Sequence, residues 1–132
     1  MTQENKELLL RDLCARLPYG VKCENYNHID GRNVFKVTDI RDNGYICGTI
    51  NNHYCWAVFD PLELKPYLFP LSSMTEEQKM FLKQQNWCIA ISTSGTVETT
   101  IEGIDWLNKN YFDYRCLIEK GLAIDATGLN IY

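Results

Sequence analysis

Basic clusters, long apolar runs and nucleotide-binding signatures are absent from this 132-residue sequence. Nowhere do three basic residues adjoin, and 13 Lys and Arg face 17 Asp and Glu for a formal charge of −4. Residues 1–60 hold seven basic and eight acidic side chains, residues 61–132 six and nine, so neither half is basic. Duplex DNA or RNA binding rests on a Lys/Arg patch that displaces counterions from phosphates, and nucleic acid is therefore not an expected partner. No apolar run approaches the roughly 20 residues that cross a bilayer. The start, Met1 to Glu7, is polar and leads into only three leucines, Leu8 to Leu10, without the basic n-region and longer apolar stretch of a signal peptide. No membrane association and a cytoplasmic location are expected. Thiols stay reduced there, so Cys14, Cys23, Cys47, Cys55, Cys88 and Cys116 are not read as a disulfide framework. Among eight glycines there is neither G-x-x-x-x-G-K-[ST] nor G-x-G-x-x-G, which excludes P-loop enzymes and dinucleotide dehydrogenases.

Histidine is scarce too, with only His28 and His53. Metal sites need thiolates and imidazoles at spacings one turn can present. The closest pair, His53 and Cys55, shares a strand face, and Cys23 with His28 could supply further ligands only by an accident of folding, so neither a metal nor any cofactor is expected. Thiol catalysis needs a thiolate beside a histidine held by a third polar group. Cys55, Cys47 and Cys23 are the candidate thiols, yet each is flanked by core-like residues and reads more simply as a small buried hydrophobe.

What the sequence does hold is a 45% hydrophobic, 23% charged composition fitting one globular domain over residues 1–132, long enough to bury a core without a staple. Residues 3–17 predict a helix: Leu10, Leu13, Cys14 and Leu17 recur at i, i+3, i+4, i+7, Thr2 suits the N-cap, and Pro18 stops it. Arg11 and Asp12 fall off that face. From Tyr19 to Phe59 four short β-rich runs (19–26, 34–41, 45–50, 54–59) are divided by turn residues, notably Asn43-Gly44 and Asn51-Asn52. Connections this short predict an antiparallel meander, curled and able to close into a small barrel, with 54–59 apolar on both faces and hence central.

Residues 62–71, with Pro66 and Pro70, read as a loop over the core. Ser73 and Glu76 have capping-box spacing before a helix over 74–85 that Asn86 ends. Trp87 to Ile91 reads as a buried strand, 104–110 and 113–120 as short helices with Gly121 capping the second, and 122–132 as a docked tail. The fold class is thus α+β: an N-terminal helix packed on a curled antiparallel meander, with short C-terminal helices.

Sixteen aromatics, 12% of the chain, exceed the needs of one such core. Tyr45, Tyr54, Tyr111, Phe112 and Tyr114 stand beside turns or in short helices where full burial is difficult. Tyrosine is enriched in interface cores because it joins apolar area to a polar tip. Tyr45, His53, Tyr54, Tyr111 and Tyr114 are therefore the candidate binding residues, and no catalytic or metal-ligating residue is assigned.

Three stretches resemble a family of small uncharacterised proteins encoded by phages, prophages and mobile elements of gut anaerobes. They run from Lys6 to Val21, from Lys65 to Glu77, and from Asp105 to Ala123, where the segments 105–115 and 117–123 carry the likeness. The resemblance covers roughly a third of the chain and brings no assigned activity. It implies a cytoplasmic phage or mobile-element protein, a kind that more often binds host factors than catalyses reactions. The expected function is a non-enzymatic interaction or regulatory module with a host protein partner or a second copy of itself. The competing expectation is a small-molecule binder or thiol-dependent enzyme using a pocket at the curled sheet.

Overall fold

A computed structural model describes residues 2–27, 31–41, 46–50, 53–55, 64–87, 89–91 and 97–132, and of 25–27, 31–33, 53–55 and 91 the backbone only. Helix α1 spans Gln3–Arg16, with the Thr2 side chain accepting from the Asn5 N–H as its N-cap. Pro18 then opens a 3₁₀ turn, Leu17–Tyr19, that ends at Gly20 in the left-handed region. The face α1 buries is Leu9, Asp12, Leu13 and Arg16. That stripe is displaced by one residue from the expected one, so Cys14 is exposed and Asp12 wholly enclosed. Counting apolar residues alone misplaces the stripe, because two of its four members are charged and neutralise each other one turn apart.

Strands β1 (Lys22–Asn27), β2 (Gly31–Ile40), β3 (Ile46–Ile50) and β4 (His53–Cys55) form the expected antiparallel meander. The turns Asn43-Gly44 and Asn51-Asn52 lie outside the described residues. A bulge between Val37 and Asp39 re-aims β2, and there Thr38 Oγ1 donates to Asp39 Oδ1 at 2.8 Å. Along β2, Phe35 and Val37 point inward while Val34, Lys36 and Thr38 are exposed, the period-two pattern of a half-buried strand.

Residues 64–70, expected as a loop, are strand β5 (Leu64–Pro70) inside the sheet. The strand order is β4-β3-β2-β1-β5-β8, with β8 (Phe112–Asp113) and β9 (Ile124–Asp125) both parallel to β5. The two prolines hid this strand. Pro66 pairs opposite Cys23 of β1, while β9 and β8 meet only residues 67–70, so among the described residues Pro66 has one neighbouring strand and its missing N–H interrupts nothing. The sheet is open rather than closed into a barrel, and β4, expected to be central, lies at an edge of the described strands.

Helix α2 (Glu76–Gln84) starts later than expected: Thr75 and Gln78 make its capping box, while Ser73 closes a 3₁₀ turn by donating to the Pro70 carbonyl at 2.7 Å. Asn86, at φ 59°, ends it with the Trp87 N–H on Leu82 O and its own N–H on Lys83 O, the double bond of a Schellman cap. Strands β6 (Ala90–Ile91) and β7 (Val97–Glu98) form a separate two-stranded sheet. Ile89 is only half-buried there and Ala90 is exposed, so this segment is not the buried strand expected. Helix α3 (Ile101–Lys109) is capped by Thr100 and turns into β8 at Tyr111, whose φ is 62°. Residues 113–120 form strand end and turns rather than a helix, yet Gly121 at φ 74° closes that turn with the same double cap, Gly121 N–H on Ile118 O and Leu122 N–H on Leu117 O.

One core joins these elements: Leu9 and Leu13 of α1, Val21 and Cys23, Phe35 and Val37, Ile46, Leu64 and Leu68, then Leu117, Leu122 and Ala123 from the C-terminal segment. Each enclosed leucine contributes about 2 kcal/mol through area removed from water.

Candidate functional site

The candidate residues fall in two places. Tyr45 lies outside the described residues, as does His28. His53 and Tyr54 stand on β4 opposite Ile50 and Thr49. Tyr111 and Tyr114 flank β8, and both are part-buried. The Tyr111 hydroxyl donates to the Tyr19 carbonyl, and its ring stacks on Tyr132 at a 3.6 Å centroid distance and 9° between planes. Burial raises the Tyr111 phenol above its ordinary value, and the nearby Arg16 charge opposes that rise.

The Tyr114 ring lies under two guanidinium groups, Arg115 at 4.6 Å and Arg16 at 5.3 Å from its centroid, and its hydroxyl donates to Asn108 Oδ1 at 2.8 Å. Beside it sits a charged cluster that apolar periodicity could not reveal. Asp12 receives Arg16 Nε at 2.9 Å, Arg16 Nη2 at 3.2 Å and Arg115 Nη1 at 2.8 Å. Arg16 also donates to the Phe112 carbonyl at 2.6 Å. Asp12 and Arg16 have no exposed surface. A fork of two guanidiniums on one carboxylate, with the remaining donor capacity on a carbonyl, is how a charge is kept inside a protein. The cluster bolts α1 to β8. Asp113 completes the junction by accepting from the Leu117 and Ile118 N–H groups, both at 2.9 Å.

Among the described residues, part of the aromatic excess forms a file of seven rings: Trp87, Phe81, Trp106, Phe112, Phe69, Tyr132 and Tyr111. Trp106 and Phe112 stack with centroids 5.5 Å apart and planes 14° apart, and Phe81 meets Trp106 at 6.3 Å and Trp87 edge-on at 5.9 Å. These separations are the range in which aromatic pairs attract beyond their buried area. One end of the file is tied down. Tyr132 Oη accepts from the Lys22 N–H and donates to the Tyr67 carbonyl, both at 2.9 Å, and the Lys22 ammonium donates to the Ile131 carbonyl at 2.9 Å. Enclosure of that hydroxyl raises the Tyr132 phenol well above its ordinary value despite the hydrogen bond from Lys22.

The other end opens to water. Phe81 is 40% exposed and Met80, next to it on α2, 61%. Five of the seven members, Trp87, Phe81, Trp106, Phe69 and Tyr132, had no special mark in the sequence. Their proximity comes from α2, α3, β5 and the tail converging. Only the surplus of aromatic residues signalled it.

A shallow depression of about 370 Å³ lies against the tied end, lined by Phe69, Ala126, Gly128, Asn130, Ile131 and Tyr132. It has small-molecule size but no titratable group besides the Tyr132 phenol, whose hydroxyl is committed to backbone. Cys23 lies in the core, where burial and the Asp12 charge push its thiol far up, away from the thiolate that nucleophilic chemistry requires. Among the described residues no three His, Cys, Asp or Glu side chains converge as metal ligands. Among the described residues no helix is long and apolar enough to cross a membrane. Comparison with protein-family models, with curated proteins and with solved structures gives no match for this chain.

Proposed function

We propose that this chain is a non-catalytic protein-binding module, of the phage and mobile-element kind its sequence resembles, that acts in the cytoplasm by contacting a host protein. The observation carrying the reading is the open end of the aromatic file, where Phe81, backed by the Trp106 and Trp87 rings, and its neighbour Met80 present apolar surface. Aromatic anchors held rigid by their neighbours lose little entropy on docking and dominate interface energetics. The raised Cys23 thiol weighs against a thiol enzyme on that residue.

Affinity capture from bacterial lysate tests the reading, with immobilised wild type run beside Phe81→Ser. Phe81 is part-exposed, so the variant keeps its fold. At least one protein should be retained by the wild type and released by the variant. Identical retention by both, matched by an unrelated acidic domain, refutes the reading.

A further inference from the structure

We infer that the fork between β1 and β5 is a binding slot for a peptide tyrosine, filled in this structure by Tyr132 of the chain itself, and that segment 127–132 is the strap that closes it. The β1–β5 register sets Glu24 opposite Lys65 and Cys23 opposite Pro66, so one step further it brings Lys22 opposite Tyr67. The Tyr132 hydroxyl joins the two strands at this rung, accepting from the Lys22 N–H and donating to the Tyr67 carbonyl, both at 2.9 Å. One backbone donor and one backbone acceptor thus read the hydroxyl, and a ring lacking it would forfeit both bonds. The ring itself stacks on Tyr111 at 3.6 Å, meets Phe69 at 6.2 Å and has the Lys22 ammonium 5.7 Å from its centroid. That ammonium also donates, at 2.9 Å, to the carbonyl of Ile131, the residue before the tyrosine. The slot therefore reads a phenol together with the peptide carbonyl that precedes it, which selects a peptide over a free phenol.

The strap is built to lift. Ala126 is fixed to β5 by its N–H on the Leu68 carbonyl, and beyond it residues 127–130 are exposed. Bonds there are local, from the Thr127 N–H to Asp125 Oδ1 and from the Leu129 N–H to the Ala126 carbonyl. Gly128 and Asn130, at φ 77° and 58°, turn the chain on its way to Tyr132. The depression of about 370 Å³ is lined by this segment and by Phe69 of β5, so part of the strap borders open space. A segment with few buried contacts opens at low cost. The core cluster is built without Tyr132, whose 38% exposure leaves the mouth of the slot open to an incoming chain. As an internal ligand on a short tether, Tyr132 competes at a millimolar effective concentration, so a second tyrosine enters where Tyr132 is removed or released.

The test titrates N-acetyl-tyrosinamide, whose acetyl carbonyl stands where that of Ile131 does, into the full wild-type chain and Tyr132→Ala, following the Lys22 amide by nuclear magnetic resonance. The variant should keep a dispersed spectrum and bind the probe in the millimolar range, with the Lys22 amide shifting. N-acetyl-phenylalaninamide, which lacks the hydroxyl, and 4-methylphenol, which lacks the carbonyl, should each bind it roughly tenfold more weakly. The wild type, closed by its own tyrosine, should also bind the probe roughly tenfold more weakly than the variant. A variant that loses its dispersed spectrum makes Tyr132 part of the core and overturns the inference. So does a variant that ignores the probe, that takes either analogue equally well, or that binds no more tightly than the wild type. This slot lies at the opposite end of the ring file from Phe81 and its test involves no host protein, so either reading can fail alone.

Discussion

Replacing Asp12 by asparagine removes the carboxylate that, among the described residues, pairs with one wholly enclosed guanidinium and one mostly enclosed one. Two hydrogen bonds from Arg16 and one from Arg115 end on this side chain. An asparagine of the same shape offers one acceptor oxygen and turns an N–H donor toward the remaining guanidinium donors, leaving the wholly enclosed Arg16 charge uncompensated. Breaking one partner out of a buried ion pair costs about 3–5 kcal/mol, against a total stability of about 5–15 kcal/mol for a domain of this kind. For a chain this long the loss corresponds to a fall of roughly 10–20 °C in Tm.

Urea unfolding followed by tryptophan fluorescence measures the effect, with an unchanged slope required before the midpoints are compared. Arg115→Met should cost less, about 1–2 kcal/mol, since its side chain is 19% exposed and Asp12 keeps Arg16. Arg16→Met should fall between the two, because Asp12 retains Arg115 while the Phe112 carbonyl loses its donor. An Asp12→Asn variant within about 1 kcal/mol of the wild type would refute the view that this cluster is a closed, fully compensated charge site.

The folded chain keeps protons on Cys23, Tyr111 and Tyr132 that the unfolded chain releases above their ordinary values of 9.0 and 10.0. Stability should therefore fall as pH rises through that alkaline range, and Tyr132→Phe should flatten the decline in urea midpoint above pH 10. Two glycines should separate steric from conformational cost in thermal unfolding. A Cβ at Gly48 would sit 2.1 Å from the Lys36 carbonyl oxygen and 2.6 Å from the Phe35 ring, whereas one at Gly121 meets nothing within 4 Å. Gly48→Ala should then cost several kcal/mol and Gly121→Ala, strained only by its φ of 74°, about 1–2 kcal/mol. Phe112→Ala, in the middle of the ring file, should cost about 3–5 kcal/mol and erase much of the near-ultraviolet circular dichroism, while Phe81→Ala, at a ring 40% exposed, should cost less stability.

The meander, α1 and its Thr2 cap, and the stops at Asn86 and Gly121 were legible because each is written locally, in alternation, in helical spacing or in a residue that tolerates positive φ. Elements made by distant partners were not. Strands β8 and β9 are two residues long and exist only because β5 is beside them, and β5 itself was concealed by prolines placed where no ladder bond is lost. The charged stripe of α1 defeats apolar counting, since Asp12 is neutralised by Arg115 from 103 positions away. Of the candidate site, Tyr111 and Tyr114 stand in the C-terminal junction with hydrogen bonds of their own, while the open end of the aromatic file had no local mark. Aromatic surplus is a count, and a count cannot say which rings will meet.

The ties between the two ends of the chain also govern when it can fold. Arg115 reaches Asp12 across 103 positions, Arg16 reaches the Phe112 carbonyl across 96, and Tyr132 meets the Lys22 backbone across 110. During synthesis, α1 leaves the ribosome with a carboxylate and a guanidinium on its sticky face and waits for most of the chain before their final partners emerge. Long-range closure of this kind slows folding. A chain cut before residue 112 would therefore leave Asp12, Arg16 and the Lys22 backbone without these long-range partners and should remain open to proteases.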